Sequence, residues 1–154
     1  MTIATRAMSF PLLFILQLSS TLYMVGLIWF VQLVHYPLHG SVGAETFALY
    51  QQRHMQWTSY AVGPPMLIEA ATTLWLFLSP PTQLPSWAFN TGALLLAVVW
   101  LSTALLQVPA HNQLLQQFNT HAHHTLVSSN WVRTLAWTAR GGLVLWLTFQ
   151  LIKI

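Results

Sequence analysis

Long uncharged apolar runs alternate with short polar connections along this chain, and the runs set its organisation. A membrane helix needs about 20 mostly apolar residues. Four stretches qualify, about 8–35, 60–78, 87–108 and 131–151. Strand-like alternation is not seen, and a helix satisfies its own backbone polar groups in lipid. The first run is expected to end near Tyr36-Pro37, because the residue before a proline is pushed out of helical geometry. The second has Gly63-Pro64-Pro65 near its start, where a first turn tolerates proline, and Ser79-Pro80-Pro81 at its end. Pro109 marks the end of the third. Arg6 followed by Phe10 to Leu16 has the look of a signal peptide. The uncharged stretch runs on to Val34 with no small-x-small cleavage site, so a retained first span is expected. Neither an internal repeat nor a low-complexity tract is read, and residues 1–154 are taken as one transmembrane domain.

Four crossings put both termini on one side, here called side A, with the 79–86 loop and Lys153. Side B receives two longer connections, about 36–59 and 109–130. Arg6 and Lys153 fall on side A, and Arg53 and Arg133 on side B, so the positive-inside rule gives no orientation. Trp57, Trp87 and Trp131 sit near span boundaries, as interfacial aromatics do. The first side-B connection reads as a short interfacial helix capped by Ser41, with Glu45 in its first turn. Phe47, Tyr50, His54 and Trp57 then share one face. In the second connection Asn119 or Thr120 can cap a turn carrying His121 and His124. The expected fold is therefore all-α, an integral membrane four-helix bundle with short interfacial helices on one side.

Composition supports the membrane assignment. Hydrophobic residues make up 55% of the 154 positions and charged residues 5%, against about 25% charged in a soluble domain. Five basic and two acidic side chains cannot build a water-facing surface. There is no Lys/Arg-rich run, so no nucleic-acid partner is expected. The absence of cysteine removes disulfides, thiolate ligands, iron–sulfur clusters and a Cys nucleophile. The chain also lacks aspartate, a G-x-S-x-G elbow and a phosphate-binding Gly-rich loop.

All seven histidines belong to side B: His35, His39, His54, His111, His121, His123 and His124. Glu69 and Arg140 each lie nine residues into a span that enters from side B. At about 1.5 Å per residue, both sit roughly 13 Å deep. A lone charge at that depth is costly, so the two are expected to pair. Arg133 lies on nearly the same face as Arg140, flanked by Asn130 and Trp137, and Gln32 precedes His35 by one turn. A polar cavity open to side B is expected, lined by His35, Glu69, His111, Arg133 and Arg140 and closed by His54 and His124.

Imidazoles with a carboxylate suit iron, copper or zinc. The candidate metal ligands are His35, His54, His111 and His124, and haem is a second cofactor this set can hold. No H-E-x-x-H or paired E-x-x-H accompanies them. The competing reading makes them interfacial groups bonded to backbone, headgroups and water, with His39, His121 and His123 assigned there first. Glu69, Arg133 and Arg140 are the candidate catalytic residues, the carboxylate as acid/base or ligand and the guanidiniums as holders of an oxygen. Their competing reading is a structural ion pair between helices. Trp131 and Trp137, beside the arginines, are candidates to flank an aromatic ligand.

Five segments occur together: Val31-Gln-Leu-Val-His-Tyr-Pro37, Phe47-x-x-Tyr50-x-x-x-His54, Pro64-Pro-Met-x-x-Glu69, Val108-Pro-Ala-His-Asn112, and Asn130-Trp-Val-Arg-Thr134 with Trp137-Thr-x-Arg140. In them the chain resembles small four-span bacterial membrane proteins, including the anthrone-oxygenase-like group. The resemblance implies oxidation of a hydrophobic, aromatic substrate at a bacterial inner membrane, and assigns no catalytic residue. The leading expectation is a membrane oxidoreductase or oxygenase-like enzyme acting on a hydrophobic small molecule. The alternatives are a non-catalytic accessory subunit of a larger membrane complex, binding haem or pigment, and a small transporter, which would have to form a homo-oligomer.

Overall fold

The computed structural model describes residues 3–153, and side chains from Phe10 onward. The side chain of Arg6, counted above among the side-A charges, lies outside that description. Six α-helices form: α1 (Ile3–Phe30), α2 (Tyr36–His39), α3 (Ala44–Leu78), α4 (Ser86–Ser102), α5 (Val108–Gln113) and α6 (Thr120–Ile152). Two π-helical turns, Val31–His35 and Thr103–Gln107, join α1 to α2 and α4 to α5. There is no strand among the described residues. The result is four continuous rods, Phe10–His39, Ala44–Leu78, Ser86–Gln113 and Thr120–Ile152, each long and apolar enough to cross a membrane. The chain is an integral membrane protein with an all-α four-helix bundle.

The rods are longer than the apolar runs alone, for two reasons. Proline does not end the first and third spans. A proline has no N–H and its ring crowds the carbonyl four residues back. Before Pro37 and Pro109 the helix widens instead, with Tyr36 N–H bonded to Val31 O and Val108 N–H to Thr103 O. The chain then continues as α2 and α5, with the proline in the first turn where no N–H is needed. The same device thus appears twice, as Val34-His-Tyr-Pro-Leu-His-Gly40 and Leu106-Gln-Val-Pro-Ala-His-Asn112. The first side-B connection is likewise not a separate interfacial helix. It is the first half of α3, whose N-cap position is Gly43 rather than Ser41 and which runs unbroken through Pro64 and Pro65. Its Phe47–Gln51 face is buried against the end of the bundle, and that packing stands it upright. Asn119 caps α6 as expected, its Oδ1 accepting from Ala122 N–H at 2.9 Å.

The rods form a ring in chain order. The first packs on the second and fourth, and the third on the fourth and, more loosely, on the second. Apolar layers alternate with polar ones along the axis. Phe14, Leu76, Phe89 and Leu147 fill one end, Met24, Met66, Val99 and Trp137 the middle, and Phe47, Leu114 and Leu126 the histidine end. Small residues let the backbones approach, as in other membrane bundles. A Cβ on Gly141 would stand 2.9 Å from Val25 Cγ2. Gly141→Leu should therefore overpack the α1–α6 seam, costing about 1–3 kcal/mol. The expected result is a lower unfolding midpoint in detergent, with no such drop for Gly142→Leu, whose site is open.

Candidate functional site

Two polar layers cross the bundle. The deeper one is built on Glu69 of α3 and Arg140 of α6, which are 0% and 2% exposed and meet across the axis. Arg140 Nε donates to Glu69 Oε1 at 2.6 Å, as their matched depth predicted. Thr21 Oγ1 donates to the same oxygen at 2.8 Å, and Trp137 Nε1 to Oε2 at 3.0 Å. Arg140 also donates to Gly92 O and Thr73 Oγ1. A Cβ on Gly92 would lie 3.2 Å from Arg140 Nη1, so glycine there makes room for the guanidinium. Gln17 closes the set, accepting from Thr72 at 2.6 Å and donating to Thr21 at 3.0 Å. Both charges are compensated within the protein.

The second layer lies towards the histidine end and surrounds a cavity of about 180 Å³. Met24, Ile28, Val62 and Met66 supply its apolar wall, and Trp137 forms another part of it. Tyr36, His54, His111 and Arg133 supply its polar end. An apolar cavity of about 150 Å³ admits benzene, so this one takes a molecule of one or two rings. Asn130 Oδ1 accepts from Arg133 Nε at 2.9 Å and from Nη2, while Asn130 Nδ2 donates to Gln32 Oε1 at 2.8 Å. Arg133 Nη2 also lies 3.2 Å from the Tyr36 hydroxyl, which is 3.2 Å from His111 Nε2. Both π-helical turns feed this layer, through Val31 and Tyr36 on one side and Thr103 and Gln107 on the other. Such turns are frequent at functional sites because they re-aim side chains.

Histidines His35, His39, His54, His111 and His123 cluster above the cavity. His35 Nε2 and His54 Nδ1 are 3.0 Å apart. His39 is buried, its Nε2 2.8 Å from Gln51 Oε1 and its Nδ1 without a hydrogen-bond partner. His123 Nε2 donates to Tyr36 O at 2.9 Å, over Gly40, where a Cβ would sit 3.0 Å from the ring. His39 and His123, assigned from sequence to the interface, therefore belong to the cluster. His124 and His121 do not, being exposed on the outer side of α6.

The expected cavity is corrected in three places. Glu69 and Arg140 are not in its lining, because the Trp137 ring stands in the cavity wall while its N–H is bonded to Glu69. His35 faces an outer groove with Tyr50, Arg53 and Trp57, while its partner His54 lines both spaces, as does Thr58. Trp131 is 40% exposed and packs edge-on against Trp29, outside the cavity. Trp131 and Trp137 differ because only the latter points to the bundle axis. Tyr36, Gln51 and Gln107 were missed by sequence reasoning, although Tyr36 stands inside a quoted motif next to His35.

No three His or acidic side chains among the described residues converge as metal ligands do. One or more nitrogens of His35, His39, His54 and His111 are engaged with one another, with Gln51 or with Tyr36. The candidate set His35, His54, His111 and His124 does not fit a metal centre as arranged, and His124 is not near the other three. No family model, curated protein or solved structure matches this chain.

Breaking the deep pair should be costly, because the remaining charge has no other opposite charge beside it. Arg140→Met is expected to remove about 3–5 kcal/mol of stability. Adding Glu69→Gln should restore part of that loss in thermal unfolding in detergent. Equal stability of the single and double variants would show that the two charges are not coupled.

Proposed function

We propose that the chain is a membrane-embedded oxidoreductase of oxygenase-like type, acting on a hydrophobic ring compound drawn from the bilayer. The observation that supports this most is the cavity between the four rods, apolar over most of its wall, with Tyr36, His54, His111 and Arg133 converging at one end. That is how small-molecule sites are built: an apolar body to bind the ligand and a few convergent polar groups to orient it. The looser seam between the second and third rods gives a route from lipid. The resemblance to the anthrone-oxygenase-like group supports the same class of reaction and a bacterial inner membrane.

The residues divide the work by position. Arg133 and Tyr36 hold the oxygen of the substrate. His54 accepts its proton through Nε2, which has no partner among the described residues, while Nδ1 contacts His35 and Thr58. Trp137 supplies an aromatic wall, and Glu69 with Arg140 fixes that wall from below through the indole N–H. In this reading the deep pair is a positioning device, and the sequence-based catalytic role passes from Glu69 and Arg140 to Tyr36 and His54, with Arg133 retained.

Oxygen uptake by proteoliposomes given 1,4-dihydroxynaphthalene tests the proposal. The full chain is expected to exceed protein-free vesicles. Val62→Trp, which fills the cavity, and His54→Ala should each reduce the excess by roughly a hundredfold or more. Uptake no faster than in empty vesicles, or unaffected by Val62→Trp, would sink this function. Elemental analysis of the same preparation is expected to find no stoichiometric iron, copper or zinc.

A further inference from the structure

Arg133 is the only buried charge in the described bundle without an opposite charge beside it. It is 8% exposed and lines the cavity. The chain has two acidic residues, Glu45 and Glu69. Glu69 is paired with Arg140, and Glu45 is exposed in the first turn of α3. The hydrogen-bond partners of Arg133 are neutral oxygens, on Asn130, Tyr36 and, at 3.5 Å, Thr103. A guanidinium taken out of water is stable only when paired or fully hydrogen-bonded, and here one side of it faces an apolar cavity.

The direction of the hydrogen bonds around Tyr36 points the same way. Gln51 Nε2 lies 3.0 Å from the carbonyl oxygen of His111, which can only accept, so that end of the amide is its nitrogen. The same NH₂ group is 3.1 Å from His111 Nδ1, which must then be the bare nitrogen of a neutral ring. The other end of the amide, Oε1, accepts from His39 Nε2 and agrees with this orientation. The proton of His111 is therefore on Nε2, donating to the Tyr36 hydroxyl. Arg133 Nη2 donates to that hydroxyl as well. An oxygen that accepts twice from the protein still has its own O–H to give, and among the described residues no acceptor lies within hydrogen-bonding distance of it.

We propose that the polar end of the cavity is an oxyanion site, made to bind a hydrophobic molecule through a single negatively charged oxygen. The Tyr36 hydroxyl and the Arg133 guanidinium both donate to that oxygen, and the apolar wall holds the rest of the molecule. The proposal rests on reading the cavity as the substrate site, and it adds the ligand's charge and hydrogen-bonding sense. A carboxylate or an aryl oxide meets it. An amine does not, because an ammonium would face the like charge of Arg133.

Four probes of one shape test this: 2-naphthoate, 2-naphthol, naphthalene and 2-(aminomethyl)naphthalene, titrated against the detergent-purified full chain by tryptophan fluorescence. The naphthoate should bind roughly tenfold or more tighter than naphthalene, the worth of a hydrogen bond to a charged group, and the amine weakest. Tyr36→Phe and Arg133→Met should each reduce that preference while naphthalene binding persists. Tighter binding of 2-naphthol as pH rises through its own ionisation would support an aryl oxide as the natural group. A preference for naphthoate at every pH would support a carboxylate. Equal affinity for naphthoate and naphthalene would overturn the oxyanion site and leave the cavity reading intact. Binding of none of the four by the wild-type chain would overturn both. Nitrogen-15 NMR of the resting protein is a check without ligand: His111 should carry its proton on Nε2, and the opposite tautomer would overturn the donor direction at Tyr36.

Discussion

Two guanidinium groups are buried in this bundle, and one carboxylate is there to meet them. Lipid enforces the consequence, because hydrocarbon does not solvate the remainder. Glu69 takes Arg140, and the pair is closed on every side by Thr21, Thr73, Gly92 and Trp137. Arg133 is left with neutral partners beside an open space. The first layer is complete in itself and ties α3 to α6, which otherwise share little backbone contact. The second is hydrogen-bonded but lacks a counter-charge for its guanidinium.

The two π-helical turns explain how such a layer is reached. A straight helix ending at proline would stop short of His39 and His111. Widening before Pro37 and Pro109 lets the rod continue and swings Tyr36 and Gln107 inward. The short α2 and α5 that follow bring His39 and His111 to opposite ends of one amide, Gln51. Gln51 is thus the residue that fixes which ring nitrogens carry protons, two hydrogen bonds away from the Tyr36 hydroxyl. Trp137 links the layers from the other direction, with one edge bonded to Glu69 and its face in the cavity wall. A change in the deep pair would therefore reach the cavity through a single indole.

Much of this was legible in the sequence, and the physical reasons differ from residue to residue. The membrane location and the four spans follow from composition and run length, because the bilayer imposes a fixed thickness of apolar residues. The Glu69–Arg140 contact follows from depth alone, because charges in lipid have few other choices. The concentration of histidines at one end is a matter of counting crossings. These are one-dimensional properties, and position along the chain is enough to state them.

The tertiary structure decided what depends on facing and on packing partners. Sequence could not place Trp131 outside and Trp137 inside, since both stand beside an arginine and only the rotation of α6 separates them. It could not join α3 through Gly63-Pro64-Pro65, because the buried Phe47–Gln51 face that holds the helix upright packs against residues far away in the chain. It set His39 and His123 aside as surface groups, although burial and the Tyr36 carbonyl claim them. Above all, the sequence counts charges but does not assign partners. That Glu69 belongs to Arg140 and not to Arg133, and that Arg133 therefore faces the cavity uncompensated, is settled only by distances between side chains from different helices.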